Sequence, residues 1–377
     1  MRPESNTVDF GPMPKDPYNH SRMSSSPSEI RINIAPKGRF DTIDVRSRLT
    51  TEAAAVLADH KKSLYTSFHT TAGYLDRGLA TRLAHHEERL RVFFGAFRGL
   101  FPQHAPYQHD QMELRQELSD AQKQVEPRNG DSHLTFIGAG MRNCVTYANE
   151  PAAPVYFIEL DGVHAGGRRE RTTSIVGYDE ETVVARTRLV VPVSKHPIDA
   201  INLADPRLGL LAAVNDLLDS TGIEKGRVDI SLEAAERDAG LTVNEYETLL
   251  MRHDLAEVLK DPLRFARDKA QHVLEDPLAV PGKALSYARY DVVRVMNQLM
   301  EAFRVNESLV EKLVAKVMAV PARRFLRTRK VSFLASDHAG AGRARLVSGT
   351  YQSPILVQWR PAAGQARSVD IAIVRLS

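Results

Sequence analysis

The chain has 377 residues, of which 43% are hydrophobic and 26% charged, a balance that excludes a chain disordered throughout and fits one large domain or two of ordinary size. Fifty basic side chains against 47 acidic ones leave a net charge of +3, so no global field demands a polyanionic partner. The single cysteine, Cys144, excludes an intrachain disulfide and a cysteine-rich zinc site, fits a reducing compartment, and reads as a small buried hydrophobe.

Residues 1–27 are rich in Pro, Ser, Asn and charge and predict a disordered tail. Ile30, Ile32 and Ile34 alternate with polar residues and open the first strand. Thr50 or Thr51 caps a helix through Leu57. Leu64–Thr70 reads as a second strand. Leu79, Leu83, Leu90, Phe93, Phe94 and Phe97 follow a helical period over 79–100, which Pro102 and Pro106 end. A loop holds Tyr107–Asp110, a polar helix spans 111–125, and a turn covers Pro127–Asp131. Strands are predicted at His133–Gly138, Val155–Leu160, Arg171–Val176, paired back on the strand before it, and Thr182–Val193. This predicts an α+β domain over 28–195. Beyond it, 196–377 reads as a helix-rich segment at 207–320, then a second, smaller α+β unit. The helices fall at Arg207–Leu218, Ser231–Ala239, Val243–Leu259, Tyr287–Phe303 and Glu307–Val317. The closing strands fall at Lys330–Leu334, Arg343–Ser348, Ile355–Trp359 and Val369–Leu376. No apolar run approaches the ~20 residues of a membrane helix and no signal core opens the chain, so the expectation is a soluble, cytoplasmic protein.

Three histidines in polar contexts carry the candidate chemistry: His69, His109 and His133. Three imidazoles hold zinc or a similar divalent metal and leave a position open for water, which the ion acidifies. Hydrogen-bonded core histidines are the alternative. Glu159 lies on an apolar strand, where an ionised carboxylate needs a partner; it is a candidate base. Asp110 either orients the adjacent His109 or caps a helix. Thr70 and Thr71 offer hydroxyls to a phosphate or serve as strand formers. Arg168, Arg169 and Arg171 bind an anionic substrate or form a solvated turn.

In their order these motifs resemble the YjbQ/UPF0047 family, often labelled secondary thiamine-phosphate synthase. The resemblance runs through His69-Thr70-Thr71-Ala72, Tyr107-Gln108-His109-Asp110, Asn129 to His133-Leu134, and Glu159-Leu160-Asp161-Gly162 with Arg168-Arg169. It implies a compact α+β fold, commonly a homotrimer, with the three histidines lining a metal or anion pocket. Two departures stand out. Relatives place Asn-Glu where this chain has Arg77-Gly78, with Asp76 as the nearest carboxylate. Their G-T-W-Q is replaced before Glu159 by Glu150-Pro151-Ala152-Ala153. A similar element reappears as Gly349-Thr350-Tyr351-Gln352, with Gln358 where the family has Glu, which points to a second, degenerate copy of the fold or to a chance match in a hairpin.

The expected function is a metal-dependent enzyme, a hydrolase or transferase, acting on a small phosphorylated or carboxylated metabolite. The competing expectation is a non-catalytic binding or assembly protein that keeps the pocket. The basic run Arg323, Arg324, Arg327, Arg329, Lys330, Arg343 and Arg345 has little aromatic interleaving, so a solvated or intersubunit face is favoured over a nucleic-acid groove.

Overall fold

The computed structural model describes residues 26–377 apart from 84, 151–152, 165–166, 262–263, 266–267, 269–324, 327 and 338–341, with the backbone alone at 163–164 and 167–168. The expected tail up to residue 25, the helices Tyr287–Phe303 and Glu307–Val317, and Arg323, Arg324 and Arg327 lie outside the described residues.

The first unit contains β1 (Ser28–Ile34), β2 (Asp41–Asp44), α1 (Thr51–Ala58), β3 (Lys62–Ser67), β4 (Ala72–Leu75), α2 (Glu87–Leu100), α3 (Gly130–Gly138), β5 (Cys144–Ala148), β6 (Tyr156–Glu159) and β7 (Arg171–Tyr178). Thr50 caps α1 by accepting from the Ala53 N–H at 3.2 Å. On α2 the predicted period is real, and Leu90, Phe93, Phe94 and Phe97 enter the core. The predicted run over 79–100 is nevertheless two helices, because Asp76 caps a separate short helix, Arg77–Arg82, through the Gly78 N–H.

Two strand assignments are corrected. Residues 130–138 form α3 rather than a strand. Gly130 through Ile137 are all buried, and a helix enclosed on every side shows no apolar stripe to separate it from a buried strand. β7 does not pair with its predecessor β6; it runs antiparallel between β1 and β3, while β6 pairs with β2 and β4.

The second unit repeats this plan strand for strand. It contains β8 (Glu181–Pro192), β9 (Asp199–Asn202), α4 (Leu210–Thr221), β10 (Lys225–Leu232), β11 (Ala239–Asn244), α5 (Leu255–Lys260), β12 (Lys330–Ser336), β13 (Ser353–Gln358) and β14 (Ala366–Leu376). The larger sheets run β1-β7-β3-β5 and β8-β14-β10-β12, the latter extended by Arg345–Val347. The smaller sheets contain β2-β6-β4 and β9-β13-β11. Register agrees as well: Ile34 faces Arg171 as Val191 faces Arg367, and Ala72 faces Glu159 as Ala239 faces Gln358. The suspected second copy is therefore a true topological repeat. It begins at β8, which pairs with β14 across the boundary expected at 195. Ser231–Ala239 is not a helix: its ends belong to β10 and β11 and residues 233–238 join them, and the helix expected from Val243 starts after β11.

One core lies within the second unit, while the other joins the first unit to Leu250, Leu255, Val258, Ile355 and Val357 of the second. The larger sheets meet through Leu64, Cys144, Val176 and Tyr178 of the first unit and Leu334, Val374 and Leu376 of the second. Cys144 sits in that seam, and burial pushes its thiol up to about 12, as expected of an inert core residue. Among the described residues no helix is long and apolar enough to cross a membrane.

Candidate functional site

The segment that joins β3 to β4 carries His69, and β7 opposite begins at Arg171. Arg171 donates to both oxygens of Glu159 and to the Thr71 hydroxyl at 3.2 Å, and its Nη1 lies 3.4 Å from His69 Nδ1. His69 Nε2 accepts from the Thr172 N–H at 2.9 Å. Glu159 Oε1 also accepts from the backbone N–H groups of Asp161 and Gly162 at 2.8 and 2.7 Å. Both oxygens of Glu159 are thus taken up by fixed donors, and the side chain is fully buried. The carboxylate expected as a base is instead the counter-ion of a structural guanidinium. Burial first, then the nearby Arg171 and Arg169 guanidiniums, hold the His69 ring down to about 3, so it is a neutral acceptor.

The second unit contains the same device with its charges exchanged. Arg367 donates to Gln358 Oε1 at 3.1 Å and to Glu236 at 2.9 Å, and Glu236 accepts from the Ser368 N–H at 2.7 Å. Glu236 therefore occupies the place of His69, and Gln358 that of Glu159. Each trio sets one carboxylate against one guanidinium.

His109 and His133 do come together, with ring centroids 4.9 Å apart, edge to face. Both are buried. His109 is held by a short turn, Gln108–Asp110, whose Gln108 and His109 N–H groups donate to Asp254 at 3.0 and 2.9 Å. Its Nδ1 lies 3.4 Å from Glu247 and its Nε2 3.1 Å from Asn129 Oδ1. Burial opposes the charged ring, but the Glu247 carboxylate, with Asp110 nearby, outweighs it and raises His109 to about 9. His133, on α3, is pushed the other way: burial and then the His109 charge hold it well below its ordinary value. The pair is one imidazolium beside one neutral imidazole.

Because the His109 value in the folded chain lies above that of the free ring, its stabilisation is complete below pH 6.5 and is lost as pH rises toward about 9. Urea midpoints between pH 6 and pH 9 should therefore fall by on the order of 2 kcal/mol in stability, and His109→Gln should remove most of that slope.

Around the pair runs a shell of buried charge. Asn129 Nδ2 donates to Asp161 at 2.9 Å, and Asp161 also faces Arg39 at 3.5 Å and Arg169 at 2.9 Å. Arg39 bridges to Asp131 and to Ser132. Arg115, almost fully buried, donates to Glu117 at 2.6 Å and to Glu245 at 3.3 Å. Arg39 Nε, Arg115 Nη1 and both Nε and Nη2 of Arg169 are buried without a hydrogen-bond partner; Arg169 Nη2 is close to Asp161 but misaligned for a bond.

Three histidines sharing one ion place their ligating nitrogens within ~4 Å of one another. Two rings approach, but the one acceptor nitrogen of the neutral His69 ring, Nε2, is occupied by the Thr172 N–H, and its Nδ1 faces the Arg171 guanidinium. Among the described residues no three metal-ligating side chains are gathered, so the donor set as arranged does not fit the expected three-histidine metal. Asp110 does not cap the helix expected to follow it and does not touch an imidazole nitrogen through its side chain: Oδ1 accepts from the N–H of Gly130, the first residue of α3, at 2.9 Å, and burial raises the carboxyl to about 6. The Thr71 hydroxyl is taken by Arg171, and Thr70 contributes its carbonyl to Asn244 at 3.2 Å. Arg168 lies on a two-residue strand whose side chains are outside the described set. Of the basic run, Arg329 binds the carbonyls of Glu236 and Glu233, and Arg345 pairs with Asp219, so both are engaged within the fold.

Sequence reasoning missed Arg39, Arg115, Asn244, Glu245, Glu247 and Asp254. The register locates two of them. Counted from the paired Ala72 and Ala239, Asn244-Glu245 stands in the second unit where Arg77-Gly78 stands in the first. The Asn-Glu expected after the first histidine motif is present, on the other copy. Asn244 Oδ1 lies 2.7 Å from His133 Nδ1, and Glu245 lies 3.7 Å from His133 Nε2.

No family model matches the chain, and no curated protein does. Solved structures do. A YbjQ-like protein of unknown function from Sulfolobus solfataricus is 17% identical, covering 52% of this chain and 99% of its own, with a TM-score of 0.27. An uncharacterised conserved protein of the YjbQ/UPF0047 family from Clostridium acetobutylicum is 15% identical over 50% of this chain and 99% of its own, with a TM-score of 0.25. A conserved hypothetical protein from Thermus thermophilus is 16% identical over 51% and 99%, with a TM-score of 0.23. The structural neighbours of this chain thus include YjbQ-like/UPF0047 proteins, each matching about half of its length.

Proposed function

We propose that the chain is an enzyme acting by acid–base chemistry on a small phosphorylated or carboxylated metabolite, with His133 as the base and His109 as a fixed cation beside it. The observation that carries this reading is the buried His109–His133 pair, 4.9 Å apart and held in opposite charge states. Structural histidines seldom need opposite charges, whereas reaction centres use such divergence to assign roles. The unmatched N–H groups of Arg39, Arg115 and Arg169 supply the complementary chemistry, because a phosphate or carboxylate satisfies several guanidinium donors at once. An anion arriving there raises the proton affinity of His133, which is kept a weak base in the resting site. His133 Nε2 then takes a proton from water or a substrate hydroxyl. The new nucleophile attacks a phosphoryl or carbonyl centre, the imidazolium of His109 stabilises the negative charge that develops, and as the bond to the leaving oxygen breaks His133 returns the proton to that oxygen.

The test is to incubate the purified full chain, with a metal chelator present, in a pool of phosphorylated and carboxylated metabolites and to follow depletion by mass spectrometry. One compound should be consumed. His133→Gln and His109→Gln should turn it over about 10²–10⁴-fold more slowly while circular dichroism stays that of the wild type. A pool left untouched, or variants as fast as the wild type, would overturn the reading.

A further inference from the structure

The topological repeat offers two equivalent strand ends, one after β4 and one after β11. The first carries Arg77 and Gly78, both exposed to solvent. The second carries Asn244 and Glu245 into the buried imidazole pair of the other unit. We propose that the second unit completes the first unit's reaction centre. Asn244 fixes His133 as the Nδ1–H tautomer, and Glu245 faces the same substrate oxygen as His133 Nε2, so the chain builds one composite site from two copies of its fold. The proposal rests on the reading of His133 as the reactive base.

The tautomer follows from hydrogen-bond accounting. Asn244 Nδ2 donates to the Thr70 carbonyl at 3.2 Å, which turns Oδ1 the other way. That oxygen accepts from the Glu245 N–H at 2.9 Å and lies 2.7 Å from His133 Nδ1. A carbonyl oxygen takes only a donor, so Nδ1 carries the hydrogen and Nε2 presents its lone pair. Asn244 is therefore a positioning residue. Through Thr70 it also ties the orientation of the base to the segment between β3 and β4 that carries His69.

Nε2 faces Glu245 Oε2 across 3.7 Å, too far for a hydrogen bond. An oxygen placed ~2.8 Å from both atoms forms the apex of a triangle and bonds to each. Arg115 holds the other carboxylate oxygen at 3.3 Å and has one buried nitrogen, Nη1, without a hydrogen-bond partner. Burial raises the Glu245 carboxyl above its ordinary value against the opposing charges of His109 and Arg115, and the carboxylate is placed to accept from an oxygen that also donates to His133 Nε2. The charged groups around His133 are His109, Arg115 and Arg169 on the positive side and Glu245, with Glu247 and Asp110 beyond His109, on the negative. Protons balance without a co-reactant. The nucleophile's proton moves to His133 Nε2 while Glu245 accepts a hydrogen bond from the same oxygen, the bond to the leaving oxygen breaks, and the imidazolium of His133 returns its proton to that oxygen, which restores the starting state.

The full chain labelled with ¹⁵N-histidine tests this without a substrate, so its failure is separable from failure of the metabolite screen. The His133 signals are identified by their loss in His133→Gln. The wild type should show a neutral Nδ1–H ring at a tautomer ratio of about ten to one or more, which a net hydrogen bond supplies. Asn244→Ala should collapse that ratio. Asn244→Asp should preserve it and bring the ring into titration between pH 5 and 8, because a carboxylate in that place favours imidazolium. His133 Nε2 should also shift as Glu245 titrates, and Glu245→Gln should abolish that step. Arg77→Ala, at the matching place in the first unit, should change none of these signals. A wild-type Nε2–H ring, a ring indifferent to both Asn244 substitutions, or a Nε2 signal that does not follow Glu245 would sink the proposal.

Discussion

Glu159→Gln should cost about 3–5 kcal/mol of stability, and adding His69→Glu should recover most of the loss. The single change leaves the Arg171 guanidinium buried without a carboxylate, the circumstance in which breaking a buried pair is expensive. His69→Glu alone is also unfavourable, because it sets two carboxylates against one guanidinium and one of them must take up a proton. The two together recreate the trio already present in the second unit, Gln358, Arg367 and Glu236. The geometry for the exchange exists: Glu236 accepts the Ser368 N–H as His69 accepts that of Thr172. Urea denaturation of the four proteins should give a coupling of on the order of 2–3 kcal/mol. Losses that simply add would show that the trios are not equivalent.

This cycle also separates His69 from the other two histidines. Its role is to accept a backbone N–H and to tolerate a guanidinium, which a glutamate performs on the other copy. His109 and His133 are in a different position, since their charge states depend on each other and on Glu247 and Asn244.

Much of the fold was legible in the chain. The alternation of Ile30, Ile32 and Ile34, the cap at Thr50 and the aromatic face of α2 are local signals, and each forms the element it predicts. Where the prediction missed, burial or context had erased the period. α3 is enclosed on all sides, and Ser231–Ala239 is rich in Glu and Ala, good helix formers that here fall mostly in the joint between two strands. At the site, the short motifs identified His109 and His133, but nothing in linear order says which two of three imidazoles converge. Asn244 and Glu245 were hidden for another reason. They belong to the same motif by position but to the opposite copy, far along the chain from the ring they touch. The signal that finds them is Gln358 in the place of Glu159, because that match fixes the register of the repeat.

Gly349→Ala should destabilise the chain by about 2–4 kcal/mol, whereas Gly95→Ala, in the middle of α2 with no atom within 4 Å of the new methyl, should be neutral or stabilising. A Cβ at Gly349 falls 1.8 Å from the Phe68 carbonyl oxygen, and backbone on both sides leaves no flexible atom to yield. The loop must retreat by more than about 1 Å, a distance that breaks a hydrogen bond. The bonds at risk are those of Gln352, whose amide donates to the carbonyls of Ser67 and His69 at 2.9 Å each and whose own oxygen accepts the Gly349 N–H at 3.0 Å. Gln352 is buried, so its lost partners are not replaced by water at full value. The strand it clamps leads directly to Thr70, which holds Asn244. Loss of the clamp should therefore reach His133, and the ¹⁵N signals of that ring should move in Gly349→Ala but not in Gly95→Ala. If the alanine variant is as stable as the parent, with an unmoved imidazole, then the element Gly349–Gln352 does not hold the two units in register.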